Sequence, residues 1–377
     1  MHDLPSPDVL AAELNAESAA PARPGDTLVR WLDLLRSQTG SDLYLVAGAP
    51  PALRVNGVIR ALAEPVLDGE DIEHAILPAL PPRAAEQYRR ISYADTSIKP
   101  AGLGRFRINL HRERGRAAAS IRAVPLLPPT LRELALPASI QALTSLPHGL
   151  VLIGGPTGSG KSTTVAALVD AINRRDAKHI ITIEDPIEFD HTHQRSLVEQ
   201  IEVGVDTPDF ATALRSAVRQ SPDVIVVGEM RDPETMRMAV AAGETGHLVF
   251  STLHTTDVSS TISRVSDAFP PERHATIRQE LAMALAAVMT QRLLPKVGGG
   301  RVPAAELLMV GYGARQHIRK NALQHLNQEI TITRSAGSFT FEESLAQLVQ
   351  SGAIEVEQAR TAAPHREEFD ALLGSRQ

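Results

Sequence analysis

A chain of 377 residues exceeds what one ordinary hydrophobic core supports, and 43% hydrophobic with 22% charged residues is the balance of a folded protein, not of a disordered or membrane-embedded one. A formal charge of −6 gives no global attraction to nucleic acid or anionic lipid, and zero cysteines exclude disulfides, thiolate zinc sites and cysteine nucleophiles. The longest apolar runs, 281–289 and 224–227, fall far short of the ~20 residues that cross a bilayer, and Asp3, Asp8 and Glu13 stand where a secretory signal needs basic and apolar residues. The expectation is a cytoplasmic protein of two domains.

Residues 1–25 are rich in Ala and Pro, with Pro5, Pro7, Pro21 and Pro24 interrupting any long element, and read as a flexible leader. Over 27–36, Leu28, Trp31, Leu32 and Leu35 recur at helical spacing and Gly40 offers a stop. The runs 42–46, 52–55 (with a turn at Asn56-Gly57) and 105–110 read as strands, giving a small α+β domain over 26–135. Pro125, Pro128, Pro129 and Pro137 mark the connection, and the boundary is placed near residue 135. Beyond it, short apolar runs at 150–153, 179–183, 223–227 and 248–252 alternate with helical patterns, the signature of βαβ units around a largely parallel sheet. This α/β domain spans 136–362. After the Gly298-Gly299-Gly300 loop, the pattern beyond Pro303 is mostly helical, ending in an amphipathic segment at 341–349 and a tail at 363–377.

The densest signal is GPTGSGKST: Gly155, Pro156, Thr157, Gly158, Ser159, Gly160, Lys161, Ser162 and Thr163 follow the apolar run LVLI and precede a helical run at 166–172. This is G-x-x-x-x-G-K-[ST] in the strand, loop and helix context it requires. Glycines let backbone N–H groups turn inward around phosphates, and the helix N-terminus adds a favourable dipole. Lys161 is expected on the β and γ phosphates of ATP, and Ser162 on Mg2+.

Three further segments accompany the loop. ITIEDPIEF (181–189) sets Glu184 and Asp185 at a carboxyl strand end, where such acids hold metal-bound water, polarise a nucleophile or form an ordinary solvated loop. VIVVGEMRD (224–232) is a buried strand ending in Gly228-Glu229. With glycine at the usual aspartate position of a Walker B pattern, Glu229 is expected to position the attacking water rather than ligate metal. GHLVFSTLHTTD (246–257) puts His247 and His254 at opposite ends of another strand, which disfavours a zinc site and leaves His254 as a candidate γ-phosphate sensor. In the first domain, GRFRIN (104–109) opens a basic run with Arg105, Arg107, Arg112, Arg114, Arg116 and Arg122. Strand alternation groups Arg105 with Arg107, either as arginine fingers or as a solvated basic face.

In this order the four segments resemble the Walker A, Asp box, Walker B and His box of the secretion-type traffic ATPases, and from about residue 26 to 354 the chain is similar to the retraction ATPases of type IV pili. The resemblance implies a PAS-like N-terminal domain followed by a RecA-like ATPase domain, joined in a homo-hexamer that binds ATP and Mg2+ between domains. It implies Glu229 as catalytic base, Glu184 as the Asp-box acid, His247 and His254 as the His-box pair, and Arg105, Arg107 and Arg122 as arginines reaching the nucleotide. It also implies a location at the cytoplasmic face of the inner membrane, against a platform protein of the pilus, with a paralogous retraction ATPase as a further partner. Assembly motors of that superfamily usually carry a tetracysteine zinc insert, so the absence of cysteine favours the retraction branch. An accessory retraction ring, an assembly or secretion motor and a nucleic-acid translocase are the other readings. The last is disfavoured by net acidity and by the lack of aromatic stacking residues near the basic run.

Overall fold

The computed structural model describes residues 26–374, so the expected leader at 1–25 lies outside the described residues. The chain divides into two compact units between Leu126 and Leu127. The division falls ahead of residue 135 because Leu131, Leu134 and Leu136 already pack into the core of the second unit.

In the first unit, helix α1 (Asp26–Ser37) buries Leu28, Trp31, Leu32 and Leu35, the stripe read from the sequence. Strands β1 (Asp42–Val46), β2 (Ala52–Val55), β3 (Val58–Ala61), β4 (Tyr93–Ile98), β5 (Phe106–Glu113) and β6 (Arg116–Ala123) form an antiparallel sheet ordered β3-β2-β1-β6-β5-β4. Helices α2 (Gly69–Ile76) and α3 (Pro82–Ile91) complete it, and Asp68 starts α2 with a capping box to Asp71. Leu43, Leu53, Ile108 and Ile121 join the helices in one core. Alternation then leaves the opposite sheet face polar: Arg54, Asp42, Arg122, Arg107 and Ser97 stand at successive cross-strand positions.

The second unit is built on β7 (Gly149–Gly154), α4 (Lys161–Arg175), β8 (His179–Glu184), β9 (Leu197–Glu202), α5 (Phe210–Ala217), β10 (Val224–Val227), α6 (Pro233–Glu244), β11 (Leu248–Leu253), α7 (Val258–Asp267), α8 (His274–Ala284), β12 (Leu285–Pro295) and β13 (Arg301–Met309). The sheet order is β13-β12-β7-β11-β10-β8-β9, with every pair parallel except the edge hairpin β12–β13. Val165, Leu168, Val169 and Ile172 of α4 pack on one face against Val151, Ile153, Val226 and Phe250. Leu214, Met236, Val240, Ile262 and Leu281 cover the other, against Leu150, Leu152, Ile225 and Val249. Strands buried on both faces read as continuous apolar runs, which is why the sequence showed them.

The C-terminal part of the second unit departs from the sequence expectation in two places. The stretch beyond Pro303 begins as a strand, and the triple glycine is the turn of the β12–β13 hairpin. Pro303 is accommodated because β13 is an edge strand. After α9 (Tyr312–Arg319), α10 (Leu326–Ile332), α11 (Phe341–Gln350) and α12 (Val356–Ala362), the expected tail carries helix α13 (Arg366–Gly374). Its Phe369 is fully buried with Leu345 and Ile354 in a separate apolar cluster. Among the described residues no helix is long and apolar enough to cross a membrane.

Candidate active site

The glycine loop leaves β7 in a conformation that side-chain-bearing residues rarely adopt. Gly155 has φ +153°, and a Cβ there would lie 2.5 Å from both Gln291 O and Ser159 Oγ. Gly160, at φ +86°, begins α4 without a side-chain cap, leaving the first amide N–H groups of the helix without a side-chain partner. Ser159 Oγ is buried with no hydrogen-bond partner. Ser162 is exposed and Thr163 half-buried in the first turn. Orphan donors of this kind around glycine backbone fit a phosphate chain.

Lys161 is only 7% exposed. Its Nζ donates to Gly155 O at 2.8 Å and Pro156 O at 3.1 Å, and lies 3.5 Å from His254 Nδ1. Burial pushes its ammonium below the ordinary lysine value, against the pull of Glu229 and Glu188. Thr157 Oγ1 lies 3.4 Å from the same His254 nitrogen.

Glu229 stands one residue beyond Gly228 at the end of β10. A Cβ on Gly228 would come within 3.1 Å of Ile183 O, so the position where an aspartate is usual is a close strand contact here. Glu229 Oε1 lies 3.2 Å from His254 Nε2, and Oε2 accepts from Arg231 Nε at 2.9 Å. With Nδ1 facing the lysine ammonium, the network assigns the His254 proton to Nε2, where it serves Glu229. Arg231 Nη1 reaches on to Asp185 Oδ2 at 3.4 Å. Lys161, His254, Glu229 and Asp185 thus form one connected set at the carboxyl ends of β7, β11, β10 and β8.

Not every sequence candidate joins this set. Glu184 Oε1 accepts from Thr182 Oγ1 at 2.6 Å and from Gln200 Nε2 at 3.0 Å, and burial pushes its carboxyl above the usual glutamate value. Its neighbour Asp185, and not Glu184, is the carboxylate that Arg231 connects to Glu229. His247 lies at the amino end of β11, its Nδ1 3.1 Å from Ala242 O, roughly 20 Å of strand away from His254. In the first unit, Arg105 Nη1 donates to Ser97 Oγ at 2.6 Å, Arg107 makes a two-point pair with Asp95, and Arg122 Nε pairs with Asp42 Oδ1 at 2.9 Å. Sequence reasoning missed Arg231 and Gln291. Arg231 lay inside a quoted motif, and its alternation with Glu229 on one extended segment was the available signal. Gln291 lies two residues beyond the apolar run 281–289, and no motif marks it.

Comparison with known proteins agrees with this geometry. Residues 132–368 match the family model described as type II/IV secretion system protein. The chain is 42% identical over 332 residues to the type IV pilus retraction ATPase PilT of Pseudomonas aeruginosa, covering 88% of this chain and 96% of that protein. It is 37% identical over 345 residues to the type IV pilus ATPase PilU of the same organism, covering 91% of this chain and 90% of that one. Among solved structures, the pilus retraction motor PilT with bound ADP superimposes with a TM-score of 0.82 at 41% identity, over 90% of this chain and 98% of that one. A glycine loop on a parallel sheet, with its lysine and a strand-end glutamate joined through one histidine, accords with those likenesses: the chain belongs to the type II/IV secretion system protein family and is a P-loop ATPase of RecA-like fold.

Proposed function

We propose that this chain is a homo-hexameric motor that hydrolyses ATP to retract type IV pili. The carrying observation is the junction of Lys161, His254 and Glu229 at the ends of three adjacent strands. The loop N–H groups and Lys161 bind the phosphates of ATP. Glu229, oriented from both sides by His254 and Arg231, takes the proton of the attacking water as its oxygen bonds to the γ-phosphorus and ADP leaves. His254 reports γ-phosphate occupancy to Glu229 through its two nitrogens. Ser162 would hold Mg2+, with Asp185 reaching it directly or through water and Glu184, held by Thr182 and Gln200, through water alone, and the ion would neutralise phosphate charge. Arg105, Arg107 and Arg122 act as arginine fingers toward the nucleotide of the assembled ring, exchanging their present carboxylate and hydroxyl partners for phosphoryl oxygens. The ring works at the cytoplasmic face of the inner membrane, gripping a pilus platform protein.

Lys161→Ala is expected to abolish ADP binding in a calorimetric titration. Glu229→Gln is expected to keep binding while losing about 100-fold or more of kcat. Wild-type turnover in the glutamine variant would remove the base assignment. The comparable likeness to PilU supports a second reading, an accessory ring that reinforces another retraction motor. Deleting the gene while the other motor remains decides between them: loss of all retraction supports the first, loss only under load the second.

A further inference from the structure

Gln291 is 1% exposed on β12, the strand parallel to and beside β7. A primary amide sealed among apolar residues is unfavourable unless both ends are used. Here they are: Nε2 donates to Ser159 O at 2.6 Å, and Oε1 accepts from Thr164 Oγ1 at 2.8 Å. One partner belongs to the glycine loop and the other to the first turn of α4, so the amide spans the point where loop becomes helix. The loop packs against the same residue, since Cβ atoms on Gly155 and Gly160 would lie 2.5 Å from Gln291 O and 3.1 Å from Gln291 Nε2. Thr290, on the opposite face, donates to Glu306 Oε1 at 2.8 Å, and that oxygen also accepts from Val258 N, just beyond His254, at 3.0 Å. Two consecutive residues of β12 therefore brace the phosphate loop on one face and the segment after His254 on the other.

We propose that Gln291 is the positioning residue of the phosphate loop, fixing the backbone around Ser159 to Lys161 in the shape that receives nucleotide. Without the amide, Ser159 O and Thr164 Oγ1 are left buried and unpaired, and the loop settles into a shape that satisfies them elsewhere. Such a change weakens the bound nucleotide and the transition state alike, so it raises KM and leaves kcat nearly intact. The proposal rests on the phosphate-loop assignment and not on the roles given to Glu229 or His254.

The test measures ATPase kinetics and MgADP affinity on the full chain for Q291M, T164V and T164S. Q291M keeps length and apolar bulk but neither hydrogen bond. Its KM for ATP and Kd for ADP are expected to rise together by about tenfold, with kcat at saturating ATP within about threefold of wild type. T164V removes one bond and gives a smaller rise, which T164S, restoring the hydroxyl, reverses. A residue that only supports folding would lower the active fraction, and hence kcat, at unchanged KM; that pattern, or unchanged KM and Kd, overturns the proposal. Should Q291M fail to fold, T164V against T164S decides the same question, and equal KM values in those two overturn it. If Lys161→Ala bound ADP normally, the loop assignment itself would fail instead.

Discussion

Glu306 illustrates how a side chain outside the chemistry is set by its surroundings. Its carboxyl caps the start of α7 through Val258 N and takes the Thr290 hydroxyl, while burial pushes its pKa above the ordinary 4.5 and Asp257 and Glu342 add to the rise. Arg292, His365 and Glu368 line the same cavity. A carboxyl raised on folding favours its protonated form in the folded state, so its stabilisation is complete below the unfolded value and is lost as pH rises through the folded one. Glu306→Gln keeps the accepting oxygen and cannot ionise. Relative to wild type, its melting temperature is expected to climb as pH rises from about 4.5 upward. Thermal melts across that range check this, and a difference constant with pH would refute it. At this scale the glycine-loop motif stands out in the sequence because the phosphate chemistry proposed for it demands particular residue types at fixed spacing. Gln291 acts through partners more than a hundred residues away, which no local pattern encodes, and Arg231 joins its near neighbour Glu229 to the distant Asp185, a link of which only the near half is visible in the sequence.

Among elements, legibility followed burial. Strands β7, β8, β10 and β11 are buried on both faces and announce themselves as apolar runs, and α1 shows a clean stripe. Strand β6 hides behind Ala117, Ala118 and Ala119, whose small side chains carry little strand signal, and β9 is a polar edge. Helix α13 was hard to read because its apolar contacts, the buried Phe369 with Leu372 and Leu373 beside it, span little more than one turn, too short for a periodic signal. Phe369→Ala should therefore destabilise the second unit by about 3–5 kcal/mol, measured as a lower denaturant midpoint at unchanged slope. A midpoint shift below 1 kcal/mol would show that α13 is dispensable.

For the whole molecule, the two-unit division and the α/β class were legible from composition and alternation, whereas assembly depends on surfaces that leave no periodic trace. The hexamer proposal predicts complementation between subunits. Arg107 lies in one unit and Lys161 in the other, so mixing inactive Arg107→Ala with inactive Lys161→Ala chains is expected to recover a measurable fraction of ATPase activity. Inactivity at every mixing ratio would argue against an arginine supplied in trans.

The contacts of Lys161 have a kinetic corollary. An ammonium carries three protons, and here two are engaged by carbonyls of its own loop while the group also faces His254. With Lys161 in its proposed role, an incoming triphosphate takes over bonds already made instead of filling vacant ones, which makes capture a substitution. Substitution tempers affinity and lets the spent diphosphate be released as the carbonyls reclaim the lysine, the behaviour a continuously cycling engine needs.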